Sequence, residues 1–176
     1  TITVTGVDDN LDDGDITTTL TATASNTGGY AGTETATATL KTTDDDTAGI
    51  TIAQASTPLV TTEAGSTASF TVVLDAKPTD NVTVSITGAD STEHQLSASA
   101  LTFTPSNWNT AQTITITGVD DNLDDGDITT TLTATASNTG GYAGTETATT
   151  TLKTSDDDSS GITIAQTGTT DGSGNL

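Results

Sequence analysis

The chain has no cysteine and no methionine, and three lysines and one histidine are its only basic side chains. Without cysteine there is neither a disulfide nor a thiolate metal site, so stability outside the cell has to come from another staple. Aromatic residues make up only 3% and hydrophobic residues 31%. That rules out a thick core but suffices for a thin sandwich of Val, Ile, Leu and Thr. With His94 as the lone histidine, metal-hydrolase, thiol and Ser-His-Asp chemistries lack their parts, and His94 reads as an exposed loop residue. Glycoside hydrolysis by paired carboxylates needs a cleft with aromatic sugar platforms, and Trp108, Tyr30 and Tyr142 are too few and too dispersed to build one. The chain therefore does not read as an enzyme. No apolar run approaches the roughly 20 residues that span a bilayer. No charged, apolar and small-residue signal segment opens the chain, which begins without Met as an excised or processed fragment would.

What is present is acid. Twenty-four Asp and Glu give a formal charge of −21, which repels phosphate backbones and anionic headgroups and sets aside nucleic acid and membrane as partners. Crowded carboxylates cost about 1 to 4 kcal/mol per close pair in a surface-like dielectric. Bound cations remove that cost.

The second dominant feature is a repeat. Residues 1–54 and 113–166 match at 49 of 54 positions, an offset of 112; the differences are Val4/Ile116, Ala38/Thr150, Thr43/Ser155, Thr47/Ser159 and Ala48/Ser160. A period of that size suits one sandwich domain and exceeds the units of solenoids and propellers. Gly49-Ile-Thr-Ile-Ala and Gly161-Ile-Thr-Ile-Ala restart a strand pattern just after each Asp run. Residues 49–160 thus form one complete unit, 1–48 the C-terminal half of a preceding one, and 161–176 the first strand of the next with a Gly/Ser-rich exit. An isolated half leaves an apolar face and sheet edges unpaired, to be completed by its upstream strands or by strands from another chain.

Within the unit, period-two alternation (Ala68, Phe70, Val72, Leu74; Val82, Val84, Ile86; Ile114, Ile116; Ile128, Leu132, Ala134) predicts strands. They fall over 49–53 with a resumption near 59–61, then 67–74, 82–87, 95–98, a single interrupted strand over 100–103 and 112–117, 128–136, and 145–153. The fold class is an all-β, Ig-like, seven-stranded antiparallel sandwich in tandem repeats. Traversed up and down, it brings the connections holding Glu63, Asp90 and Glu93, and Asp120–Asp127 to one pole, together with Asp156, Asp157 and Asp158 after the last strand. Carboxylates converging from distant loops suit Ca2+, which takes six to eight oxygens at roughly 2.3–2.6 Å; Mg2+, smaller and reluctant to dehydrate, fits less well. The same residues also make good soluble turns. Asp120–Asp127 misplaces the EF-hand glycine, and the nine-residue Gly/Asp repeat of β-helical calcium proteins is absent.

GVDDNLDDGD after a strand, DDDTAGI or DDDSSGI at the unit boundary and TEAG near its start resemble Calx-beta repeats, and FTPSNWNTAQTITITGVDD (103–121) is similar to versions in large bacterial surface proteins. The resemblance covers 49–160 and recurs in 1–48. It implies a β-sandwich holding calcium at the pole facing the next domain, through Glu63, Asp120, Asp121, Asp125, Asp156, Asp157 and Asp158 and a backbone carbonyl near Leu123. Glu93 stands where that family often has an acidic ligand, although STEHQ departs from the pattern and Asp90 could serve instead. By the repeat offset, the same roles in the preceding half fall to Asp8, Asp9, Leu11, Asp13, Asp44, Asp45 and Asp46.

Of the remaining residues, Trp108 is expected to cover the core edge and Tyr142 to pack at a turn on the opposite pole. There the Asp75–Asn81 loop should face Asp44–Asp46, with Asp75 or Asp80 a candidate to close that site. The expected function is a calcium-rigidified extender in a long secreted or cell-surface adhesin-type protein, each unit adding about 40 Å. Its partners would be neighbouring repeats. The alternatives are a filament or matrix subunit completed by identical chains, and a glycan- or ice-binding module using the Thr-rich faces.

Overall fold

The computed structural model describes residues 1–165; residues 166–176, with the expected Gly/Ser-rich exit, lie outside the described residues. Every regular element among them is a strand: β1 (Ile16–Thr23), β2 (Thr35–Thr42), β3 (Ile50–Gln54), β4 (Leu59–Thr62), β5 (Thr67–Leu74), β6 (Val82–Thr87), β7 (His94–Leu96), β8 (Ala100–Phe103), β9 (Gln112–Gly118), β10 (Ile128–Ala136) and β11 (Thr147–Ser155). Residues 161–165, expected to begin the next unit's first strand, form no strand.

Residues 49–160 fold as an Ig-like β-sandwich of two sheets, ordered β4-β11-β10-β6-β8 and β3-β5-β9-β7. Alternation does what the pattern requires: in β6, Val82, Val84 and Ile86 are buried while Thr83, Ser85 and Thr87 face water. Phe70, Val72, Phe103, Ile114, Ile116, Leu132 and Leu152, drawn from both sheets, form the fully buried centre. Trp108 packs, partly buried, against this core.

Seven expected strands become nine segments for two reasons. The first strand breaks between β3 and β4 and changes sheets, so that β4 pairs in parallel with β11, Leu59 opposite Leu152. Residues 100–103 and 112–117 are not one interrupted strand: β8 pairs with β6, Phe103 opposite Val82, whereas β9 pairs with β5 in the other sheet. The crossing is made by the Thr104–Asn107 turn, in which the Asn107 Oδ1 accepts the Thr104 N–H at 2.6 Å. Period-two patterning cannot report such a change of sheet, because both strands alternate in the same way.

Residues 1–48 contribute one hairpin, β1-β2, paired in the register of β10-β11: Leu20 lies opposite Ala38 as Leu132 lies opposite Thr150. Its inner face has no opposing sheet, since nothing in 1–48 corresponds in sequence to β3–β8. Leu20 is therefore 41% exposed where Leu132 is 1%, and Tyr30 58% where Tyr142 is 3%. Tyr142 is buried by donating its hydroxyl to the Ala76 carbonyl at 2.8 Å, which ties the β10-β11 turn to the loop after β5.

This contrast sets up a direct comparison. Leu132→Ala should cost about 2–5 kcal/mol in urea unfolding, and Leu20→Ala about 0.5 kcal/mol or less. Equal losses would show that the hairpin face is covered in solution.

Candidate metal centre

At the pole where β4, β9 and β11 end and β7 begins, backbone hydrogen bonds fix two glutamates. Glu63 sits in the turn after β4: the Thr62 N–H donates to Ser66 Oγ at 2.8 Å, and the Glu63 N–H donates to the Ser155 carbonyl at the end of β11 at 3.1 Å. Glu93 leads into β7, its carbonyl accepting the Val119 N–H at 2.9 Å just beyond β9. Gly118 makes the approach possible, because a Cβ there would run into the Thr62 carbonyl. The absence of a side chain at the start of the GVDD segment thus lets the acidic loop lie beside the Glu63 turn.

Several carboxylates of this pole serve as struts. Asp156 accepts the N–H groups of Gly126 and Asp158, both at 2.8 Å. Asp127 pairs with Lys153 at 2.5 Å and accepts the Asp156 N–H at 3.2 Å. Asp124 accepts the Ser160 N–H at 2.7 Å, gripping the exit segment. The bonds to Lys153 and to Ser160 hold the carboxyls of Asp127 and Asp124, respectively, below the usual range. Neither residue is part of the inferred ligand set, and only their conformational work explains why the loop needs so many aspartates.

The remaining acids face one another. Glu63, Asp121 and Asp158 offer oxygens within 4.8 Å of one another, as do Glu63, Glu93 and Asp125, so that Glu63 joins two groups. Glu63 is 2% exposed and Glu93 4%, and one carboxylate oxygen of each, with Oδ2 of Asp158, is buried without any hydrogen-bond partner. Desolvation, reinforced by Asp156, Asp121, Glu93 and Asp125, pushes the Glu63 carboxyl up to about 7. Burial and neighbouring carboxylates raise Glu93 and Asp158 in the same way. Such an arrangement concentrates buried negative charge with no positive partner beside it.

The structure thus gathers five of the expected residues, Glu63, Glu93, Asp121, Asp125 and Asp158, from four separate segments. Asp120 and Asp157 are close enough to raise the Asp158 carboxyl but lie outside both groups. Asp156 also lies outside them; its Oδ2 accepts the Gly126 N–H and its Oδ1 the Asp158 N–H, so it braces the loop beside the cluster. The Leu123 side chain is exposed, and its N–H donates to Asp121 Oδ1 at 2.7 Å. Of the two alternatives before β7, Glu93 is the one in the acid groups, while Asp90 Oδ1 accepts the Thr92 hydroxyl at 2.7 Å and its N–H at 3.1 Å. His94 is not an exposed loop residue: it is 1% exposed. Its Nε2 accepts the Asp90 N–H at 3.3 Å, and desolvation lowers its pKa, leaving it neutral.

In the preceding half, Asp8, Asp45 and Asp46 form a smaller group. Asp44 accepts the N–H groups of Asp13, Gly14 and Asp46, repeating the strut role of Asp156, and Asp9 accepts the Leu11 N–H. No counterpart of Glu63 or Glu93 exists in residues 1–48. Neither Asp75 nor Asp80 is in that group: Asp75 accepts the Thr51 hydroxyl at 2.7 Å and Asp80 the Asn81 N–H at 2.7 Å. The loop after β5 instead meets Asn10, whose carbonyl accepts the Lys77 N–H at 2.7 Å.

No protein-family model and no curated protein matches the chain. Among solved structures, the YadV chaperone is similar at 11% identity with a TM-score of 0.45, over 64% of this chain and 54% of that one. The periplasmic chaperone SfaE follows at 10% identity and 0.45, over 66% and 60%, and domains 4 and 5 of the S-layer protein SbsC at 18% and 0.40, over 69% and 63%. The chain spans little more than half the length of either chaperone.

The raised Glu63 carboxyl has a defined sign for stability. Between its ordinary value of 4.5 and about 7, the metal-free folded protein holds a proton that the unfolded chain has released, so stability falls as pH rises through that window. Melting in chelator at about pH 5 and about pH 7.5 should show this loss in the parent and a smaller one in Glu63→Gln. Identical slopes would remove Glu63 from the strained group.

Proposed function

We propose that this chain is a calcium-stapled extender module of the Calx-beta kind, from a long secreted or cell-surface adhesin-type protein. The observation that carries the reading is the pair of acid groups sharing Glu63, with buried carboxylate oxygens that no protein donor satisfies. An acidic cluster alone would be unremarkable on so acidic a chain, but leaving buried carboxylates unpaired is costly, and a divalent ion is what relieves it.

The donor set is all oxygen and contains no thiol, and His94 is in neither acid group. Hard oxygens from several separate loops suit Ca2+ better than Mg2+, which demands a near-ideal octahedron, and better than softer transition metals. Glu63, Asp121 and Asp158 would hold one ion, and Glu63, Glu93 and Asp125 a second. Asp158 lies on the segment leading out of the unit, so the ion would fasten that exit to the sandwich. Extracellular calcium modules bind at about 0.1–1 mM, which would leave the module slack before export and stiff after it.

A second reading, self-assembly through strands lent by another chain, is supported by the exposed Ile16 and Leu20 of the unpaired hairpin. Concentration-dependent polymers in sedimentation would favour it over the simple extender.

Calorimetry and melting with calcium or chelator test the main reading. Calcium at a hundredfold excess over its dissociation constant should add about 2.7 kcal/mol per site; Glu63→Gln should abolish most of that gain and Asp158→Asn about half of it. An unchanged melting midpoint on adding calcium to the chelated parent would leave only an acidic spacer.

A further inference from the structure

The segment GVDDNLDDGD occurs twice, and its two copies stand in different surroundings. In the first, the Asn10 carbonyl accepts the Lys77 N–H, and Leu11 is half-buried in a recess made with Ala76, Thr79, Gly140 and Tyr142. Asp12 grips the linker through the Ala48 N–H at 2.7 Å. In the second, Asp124 grips the exit in the same way, through the Ser160 N–H at 2.7 Å, but Leu123 is 63% exposed.

We propose that the Asn122–Leu123–Asp124 loop is a docking face for the opposite pole of a following copy of this sandwich, seated as Asn10–Leu11–Asp12 is seated on the present one. The first junction supplies the template for the second. Identical loop sequences hold identical linker grips, so the chain leaving Ser160 starts toward the same relative position. The receiving pole is built for a small apolar tip. Gly140 must lack a side chain, because a Cβ there would meet the Asp80 backbone at 2.6 Å, and Tyr142 is locked beneath by its bond to Ala76. Charge favours the same partner. Lys41 and Lys153 are paired with Asp15 and Asp127, whereas Lys77 lies on the receiving pole itself, opposite a strongly acidic loop. Each acidic loop would thereby both surround its own cation site and seat the next module. This deepens the extender reading and rests on it for the existence of a following copy.

The absence of cysteine makes the test specific. The chain would be continued past Ser160 by a second copy of residues 49–160, with spin labels on cysteines introduced at Thr131 and at Ser69 of the added copy. In calcium, pulsed electron-spin distance measurement should give one narrow peak. Leu123→Ser, or Thr79→Trp in the added copy to fill the recess from the receiving side, should each lose that peak. A broad distribution in the parent, or a narrow one surviving both substitutions, overturns the proposal. Melting of the same chain in calcium and chelator separates the two readings: a narrow peak abolished by Leu123→Ser without any calcium-dependent melting shift sinks the calcium reading and leaves the docking, whereas a melting shift with a broad parent distribution does the reverse.

Discussion

Mutual repulsion among desolvated carboxylates governs the design of this chain. Glu63 and Glu93 are buried at the end of a sandwich with no salt bridge to either, and their neighbours raise their carboxyls further. Much of the local sequence serves to impose that crowding. Gly118 allows the close approach, Ser66 and Ser155 hold the Glu63 turn, and Asp124, Asp127 and Asp156 fix the loop so that Asp121, Asp125 and Asp158 face inward. Surface turns chosen only for solubility would relax away from such an arrangement, since carboxylates free to move separate and hydrate.

The two copies of the repeat separate what sequence dictates locally from what needs the rest of the fold. The hairpin forms in the same register in both, and so do the Asp44 and Asp156 struts. Burial of Leu132 and Tyr142 and the five-acid cluster form only where β3–β9 are present. Backbone pairing and turn chemistry are therefore local properties here, whereas the site belongs to the assembled sandwich.

Much of this was legible in the sequence. Alternation located the strands to within about two residues, and up-and-down parity brought Glu63, Glu93, the 120–127 loop and Asp158 to one pole. It could not distinguish an aspartate that faces the cluster from one that braces the backbone, because Asp156 and Asp158 differ only in which groups their oxygens meet. Nor could it foresee that His94 would be buried or that β8 and β9 belong to different sheets. Those outcomes depend on long-range pairing and leave no periodic trace. The repeated glycines at 6 and 118 were an available signal, since glycine at the end of an alternating strand marks close backbone approach.

The parallel pairing of β4 with β11 has a mechanical consequence. Leu59 to Thr62 run alongside Leu152 to Ser155 in the same direction; β4 follows the entering strand β3, and β11 is the last strand before the chain leaves the unit. Tension between those two ends slides the strands along each other, so it loads their hydrogen bonds together in shear instead of opening them one after another like a zip. A short, cysteine-free ladder can in this way resist a pull that would peel apart a hairpin of the same length.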